Sequence, residues 1–262
     1  MTDAHPPRLL ELLNPPTGLV ALAARHVETG WAWRYNERVV LPSASLIKLP
    51  ILAAFWEAAE AGRLDPDERT DVPAGTSVEG TGVLKALAPG LELTWNDLAT
   101  LMITVSDNVA TNLIIDRLGM ETIQAWIDKA GLADTRLGRR MMDRAAMDAG
   151  RGNWTSAADM ETLLSAVAAG TCVSGEASRR MRQALEAQQI HDRLPRRLGN
   201  GVRVANKTGN FADVIHDAGL VTWPGGTLVI ALLTRGVQPA WQAMDAIAEV
   251  AALLVEVGTG SR

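Results

Sequence analysis

Strand-forming segments sit at the two ends of this chain, and the middle is helical. Residues 18–36, GLVALAARHVETGWAWRYN, alternate well enough for two strands joined at Glu28-Thr29-Gly30. The tail supplies three more candidates, GVRVANKTG, DAGLVTWPGG and TLVIALLTRG, the last two closed into a hairpin by Pro224-Gly225-Gly226. Between them lie helical patterns and loops. A short helix is expected at 8–13, stopped by Pro15-Pro16, and a long one from Ser45 to Ala61, closed by Gly62. Pro50 predicts a slight kink near its start. Residues 64–90 read as loop. Thr94 with Asp97 predicts a capped helix running to Ser106, and further helices begin at Asn108, Met120, Ser156 and Ser174. Residues 134–154 read as a long ordered loop, and 240–258 as a closing helix. Sheet segments at both ends around a helical block exclude alternating βαβ. The expected fold is α+β: one antiparallel sheet (1–61 and 201–262) with an inserted helical subdomain (62–200) and a site between them.

Bulk properties narrow the function. A net charge of −5 favours neither nucleic acid nor an anionic membrane. No apolar run approaches the roughly 20 residues of a membrane span. The first residues, MTDAHPPRLLELLNPP, lack a basic stretch followed by an apolar one, so no secretory signal is read. The expected location is the cytoplasm as written, or the periplasm or exterior where a leader has been removed. One cysteine, Cys172, excludes an internal disulfide. A monomer acting on a small molecule is expected. There is no G-x-S-x-G elbow, H-E-x-x-H, C-x-x-C, G-x-G-x-x-G or Walker loop, and the four histidines are scattered, so neither metal nor cofactor is expected. Only four lysines stand against twenty-one arginines. Lysine is therefore notable wherever it occurs, because its pKa falls readily on burial.

Two of the four lysines fall in short motifs. Ser45-Leu46-Ile47-Lys48 puts a serine and a lysine on one helix face, where a partly buried amine can take the serine's proton. Ser106-Asp107-Asn108 lies between two helices, with a hydroxyl able to pass a proton and an amide able to hold a carbonyl. Lys207-Thr208-Gly209 ends a strand expected to be central, with a cation for a carboxylate and a glycine for close ligand approach. Singly, each has a plain structural reading: a helix cap, an interhelical turn, a strand end. Together, in this order and on these elements, they resemble the serine β-lactamases of class A and the related penicillin-binding proteins. The likeness runs over essentially the whole chain. The middle triplet is Ser-Asp-Asn rather than Tyr-x-Asn, which favours the class A branch.

The resemblance implies roles. Ser45 is the acylated nucleophile and Lys48 its base or relay. Ser106 donates a proton to the leaving nitrogen, and Asn108 contacts the substrate's side-chain amide. Lys207, Thr208 and Gly209 bind the carboxylate end, and the N–H groups of Ser45 and Asn210 form the oxyanion hole. The family's E-x-x-x-N motif, whose glutamate activates the deacylating water, is missing: aligning Thr135-Arg136-Leu137 puts Met141 and Ala145 at those positions. The nearest acids are Asp143 and Asp148. Asp143 is a candidate substitute base, or else a salt-bridge partner of nearby arginines. The family's arginine beside K-T-G is also absent; His216-Asp217 falls there, and Arg235 is the candidate substitute. The resemblance thus implies acylation through Ser45 with slow deacylation of a β-lactam. A D-alanyl-D-alanine peptidase or small-ester hydrolase, and a penicillin-binding protein without turnover, are the alternatives.

Overall fold

The computed structural model describes residues 7–73 and 78–259. In chain order the elements are α1 (Pro7–Leu13), β1 (Leu19–His26), β2 (Ala32–Tyr35), β3 (Leu41–Pro42), a 3-10 turn (Ala44–Ile47), α2 (Lys48–Glu60), β4 (Arg69–Asp71), β5 (Glu92–Thr94), α3 (Trp95–Thr104), α4 (Asn108–Leu118), α5 (Met120–Lys129), α6 (Arg144–Asp148), β6 (Trp154–Thr155), α7 (Ala157–Ala168), α8 (Gly175–Glu186), β7 (Arg203–Phe211), β8 (Val214–Trp223), β9 (Gly226–Arg235) and α9 (Ala240–Thr259). The fold is α+β, as the ends-and-middle pattern predicts.

Five strands form one antiparallel sheet in the order β2-β1-β9-β8-β7. Both faces are covered, so the strands read as apolar runs whose alternate residues serve different cores. Leu228, Ile230 and Leu232 of β9 pack with Val20 and Leu22 against Ile247, Val250 and Leu254 of α9. Val229, Ala231 and Leu233 face the other way, towards the helical block. Ala21 and Ala23 of β1 join that second face, and their small side chains let α7 lie close against the sheet. The middle of the helical block is α2, whose residues Lys48 to Trp56 are all buried. A helix apolar all round belongs inside. Among the described residues, no helix is long and apolar enough to cross a membrane.

Five expectations need correction. The helix read from Ser45 begins as a 3-10 turn and becomes α-helical only at Lys48. Pro50 therefore lies in the first α-helical turn, where its missing N–H costs little and no kink need follow. The loop read at 64–90 supplies β4, which pairs with β5 in a small separate hairpin. The loop read at 134–154 contains α6 and leads into β6, which pairs with β3. Finally, β7 is an edge strand and not central, and Lys207-Thr208-Gly209 lies in its middle rather than at its end.

Candidate active site

Residues three apart eclipse one another on a 3-10 turn, so Ser45 and Lys48 stack on one side of the chain. Ala44 enters the turn at φ 46°, a conformation unusual for a residue with a Cβ and one that persists only where surroundings enforce it. Two hydrogen bonds do so. Ser43 N–H donates to Asn153 O (2.9 Å), and Leu46 N–H donates to Ser43 O (3.0 Å). Ser45 is half-buried on a cavity wall, and its hydroxyl has no hydrogen-bond partner among the described residues. Lys48 is fully buried. Its Nζ donates to Ser106 O (2.8 Å), Ser106 Oγ (3.0 Å) and Asn108 Oδ1 (2.9 Å), which uses all three ammonium protons.

Ser106 has φ 56° between α3 and α4, and its Oγ also receives Lys207 Nζ at 3.0 Å. One hydroxyl thus bridges two buried amines. Burial is the main cause that lowers both amines, and for Lys48 the nearby Lys207 charge adds to it. Lys207 is brought down to about 7, and Lys48 lies well below the ordinary lysine range. They titrate as a pair. When one amine is neutral, Ser106 can accept from the charged partner and donate its own proton to the neutral one. The hydroxyl then forms a proton path.

The turn carrying Ser106 is held by groups that the triplet reading missed. Asp107 is fully buried; its Oδ2 accepts Val83 N–H (2.6 Å) and Leu84 N–H (2.9 Å), and its Oδ1 caps α4 through Ala110 N–H (3.0 Å). Thr81 Oγ1 donates to Ser106 O at 2.7 Å. Asn108, expected to contact substrate, is engaged at both ends of its amide: Oδ1 accepts from Lys48, and Nδ2 donates to Glu79 O (2.9 Å). The segment 79–84 can lie this close because of its glycines. A Cβ on Gly82 (φ 116°) would stand 2.4 Å from Asp107 Oδ2 and 2.6 Å from its Cα. Gly82→Ala is expected to cost roughly 2–4 kcal/mol, read as a lower urea midpoint with acylation slowed through the displaced turn.

On β7, Lys207 Nζ also donates to Thr208 O (2.9 Å), which with Ser106 Oγ uses two of its three ammonium protons; Lys207 is fully buried and is not among the residues that line the cavity. The Thr208 hydroxyl has no partner among the described residues. Gly209 serves a closer neighbour than a ligand: its absent Cβ would lie 3.2 Å from Ala44 Cβ, so glycine lets the turn that carries Ser45 rest on the strand. Asn210 is exposed and lines the cavity beside Ser45. His216 is buried beneath. Its Nδ1 accepts Thr234 N–H (3.1 Å), so Nε2 carries the proton donated to Pro42 O (2.9 Å). Burial pushes this imidazole down to about 4, and it acts as a neutral staple.

Arg235 is corrected. It is exposed, pairs with Asp213 at 3.2 Å and lines no part of the cavity. The cation under β7 is Arg193, only 2% exposed, which donates to His216 O (2.8 Å) and Gly209 O (3.4 Å). Its signal in the sequence was faint, because it stands in an Arg-rich run, HDRLPRR, that reads as surface.

The cavity has a volume of about 400 Å³. Segment 139–154 forms one wall, with Met141, Met142, Met147 and Trp154, and Phe211 faces them. No Asp or Glu is among the described residues that line it. Asn112 holds the Met141 backbone from both sides, accepting its N–H (2.8 Å) and donating to its O (3.2 Å). Asn153 Oδ1 accepts Gly138 N–H (2.9 Å) and Arg139 N–H (3.0 Å), closing the neck of the segment. Asp143 lies on a neighbouring pocket and caps α6 through Ala146 N–H (2.9 Å). It makes no salt bridge among the described residues. Asp143→Asn keeps the cap, so it should leave both stability and the lifetime of any acyl adduct unchanged within about twofold; a longer-lived adduct would restore Asp143 as a base.

With the fold and the cluster of Ser45, Lys48, Ser106 and Lys207 described, comparison with known proteins gives the family. The model of the beta-lactamase enzyme family matches residues 8–257. The chain belongs to that family, whose members are hydrolases. A curated relative, a beta-lactamase of Rhodobacter capsulatus, is 30% identical over 162 residues, covering 60% of this chain; the match spans 54% of the relative, about half its length. Among solved structures, a beta-lactamase from Sphaerobacter thermophilus DSM 20745 superposes with a TM-score of 0.88 at 32% identity, covering 94% of this chain and 93% of the other. PBP-A superposes with a TM-score of 0.88 at 28% identity, covering 97% and 95%. A mutant of PBP-A has been solved as an acyl-enzyme complex with penicillin G.

Proposed function

We propose that the protein opens β-lactams by acylating Ser45 and releases the product slowly. Ser45 Oγ attacks the lactam carbonyl carbon. Its proton passes to neutral Lys48, whose Nζ exchanges one of its present acceptors for Ser45 Oγ. The N–H groups of Ser45 and Asn210 receive the oxyanion, an interaction typically worth about 10²–10³ in rate per donor. The lactam C–N bond breaks, and the nitrogen takes the Ser106 proton, which Lys207 or Lys48 replaces. Lys207 and Thr208 hold the substrate carboxylate, with Arg193 adding positive potential from below. Asn108 positions Lys48. The site lies between the five-stranded sheet and the helical block built around α2, so the boundary falls before α2 rather than at residue 61.

The observation that carries slow release is the cavity wall: Met141 lines the cavity that Ser45 lines, and no Asp or Glu is among the described residues on it to activate water. An acyl-enzyme without such a base outlives its formation. A D-alanyl-D-alanine peptidase is a second reading on the same residues, favoured by the edge position of β7, which offers an extended peptide a strand to pair with. Peptide mapping after incubation with benzylpenicillin tests the assignment. The adduct should fall on the peptide containing Ser45 and be absent from Ser45→Ala; an adduct elsewhere, or one retained by the variant, would refute it.

A further inference from the structure

Segment 134–155 carries five arginines, and they divide by partner. Arg140 pairs with Asp116 at 2.7 Å, and Arg144 pairs with Glu79. Arg136 stays on the outside. Arg139 and Arg151 line the cavity beside Ser45, and neither has an ion-pair partner among the described residues. Arg139 lies over the Phe211 ring, 5.6 Å from its centroid, and donates one bond, to Arg140 O (3.0 Å). Its Nε is buried without a partner. Burial disfavours its charge, and Asp143, occupied as a helix cap, compensates only in part. Arg151 is exposed and makes no side-chain hydrogen bond among the described residues. Two arginines without an ion-pair partner therefore line a small cavity with no acid among its described lining residues, in a protein whose net charge is −5. Their planar forks suit a carboxylate, and the methionines with Trp154 and Phe211 suit an apolar stem.

We propose that the substrate's acyl arm carries a carboxylate of its own, received by Arg139 and Arg151, in addition to the carboxylate assigned to Lys207 and Thr208. That the bound arm is the acyl one rests on Ser45 being the acylated group. The test is equilibrium binding to Ser45→Ala protein, by calorimetry. Benzylpenicillin is compared with carbenicillin, which adds one carboxylate to the same arm. Carbenicillin should bind about tenfold more tightly at low salt, with the preference shrinking as salt is added. Arg139→Gln and Arg151→Gln, each in the Ser45→Ala background, should bring the ratio towards one. Arg151 leaves no buried group unpaired when replaced, so the test survives if the Arg139 variant misfolds. A ratio of one or below in the Ser45→Ala protein, binding of neither compound, or a preference that both replacements leave intact would overturn the proposal. The readout needs no nucleophile. A tenfold preference with no adduct on wild type would sink acylation at Ser45 and leave the anion site standing; an adduct with a ratio of one would do the reverse.

Discussion

Replacing Lys48 with methionine is expected to slow acylation of Ser45 by benzylpenicillin about 10³-fold, the scale of a lost general base. Lys48 is the amine that the 3-10 turn stacks with Ser45. The fold should hold. Methionine fills most of the volume, and removing a buried charge offsets the three hydrogen bonds to Ser106 and Asn108 that are lost. A nearly unchanged melting temperature with a collapsed acylation rate would separate chemistry from structure. The pH profile adds a second signature. The base works when neutral, so the wild-type rate should rise with pH as the Lys48–Lys207 pair sheds a proton. Burial lowers both members, so the rise should be centred well below the ordinary lysine value. In Lys48→Met that limb should vanish. A rate within tenfold of wild type would remove Lys48 from the mechanism.

The second large effect is a gain. Met141→Glu is expected to shorten the lifetime of the acyl adduct about a hundredfold, the lower end of general-base catalysis. Met141 lines the cavity that Ser45 lines, and Asn112 clamps its backbone on both sides, so the backbone that would carry an introduced carboxylate is fixed on that wall. The substitution has a cost. Met141 is 8% exposed, and placing an ionisable group there should lower stability by about 1–3 kcal/mol, partly offset by Arg139 on the same wall. Intact-mass decay after removal of free penicillin reads the lifetime, and thermal melting reads the cost. An unchanged lifetime in a folded variant would mean that the missing carboxylate is not what stalls release.

What could be read in advance follows from how local each feature is. Ser45 and Lys48 were legible because their spacing is enforced by the turn that carries them. Thr94 with Asp97 was legible because the capping box is written within four residues, and the structure has both of its bonds. The sheet's edge was not. Both faces of the sheet are covered, so hydrophobic pattern does not distinguish an edge strand from a central one. The overlooked clue was the polar run Asn206-Lys207-Thr208 inside β7, which a strand tolerates best where it borders a site. Segment 79–84 has no periodicity, and its purpose shows only in its contacts with Ser106, Asp107 and Asn108. Asp143 serves as the N-cap of α6, a role that its place before Arg144-Ala145-Ala146 is compatible with but does not single out. Arg193 and the unpaired Arg139 and Arg151 depend on which arginines find carboxylates in three dimensions, and that sorting has no local signature.

One measurement bears most directly on the central claim that Ser45 acylates and then stalls. The wild-type protein is incubated with benzylpenicillin, free drug is removed, and the intact mass is followed over time beside Ser45→Ala. The account predicts one penicillin mass added to wild type only, persisting after the drug is gone. Return of wild type to its unmodified mass as fast as the adduct forms, with opened penicillin accumulating, would contradict the stall. No adduct and no opened penicillin would contradict the acylation itself.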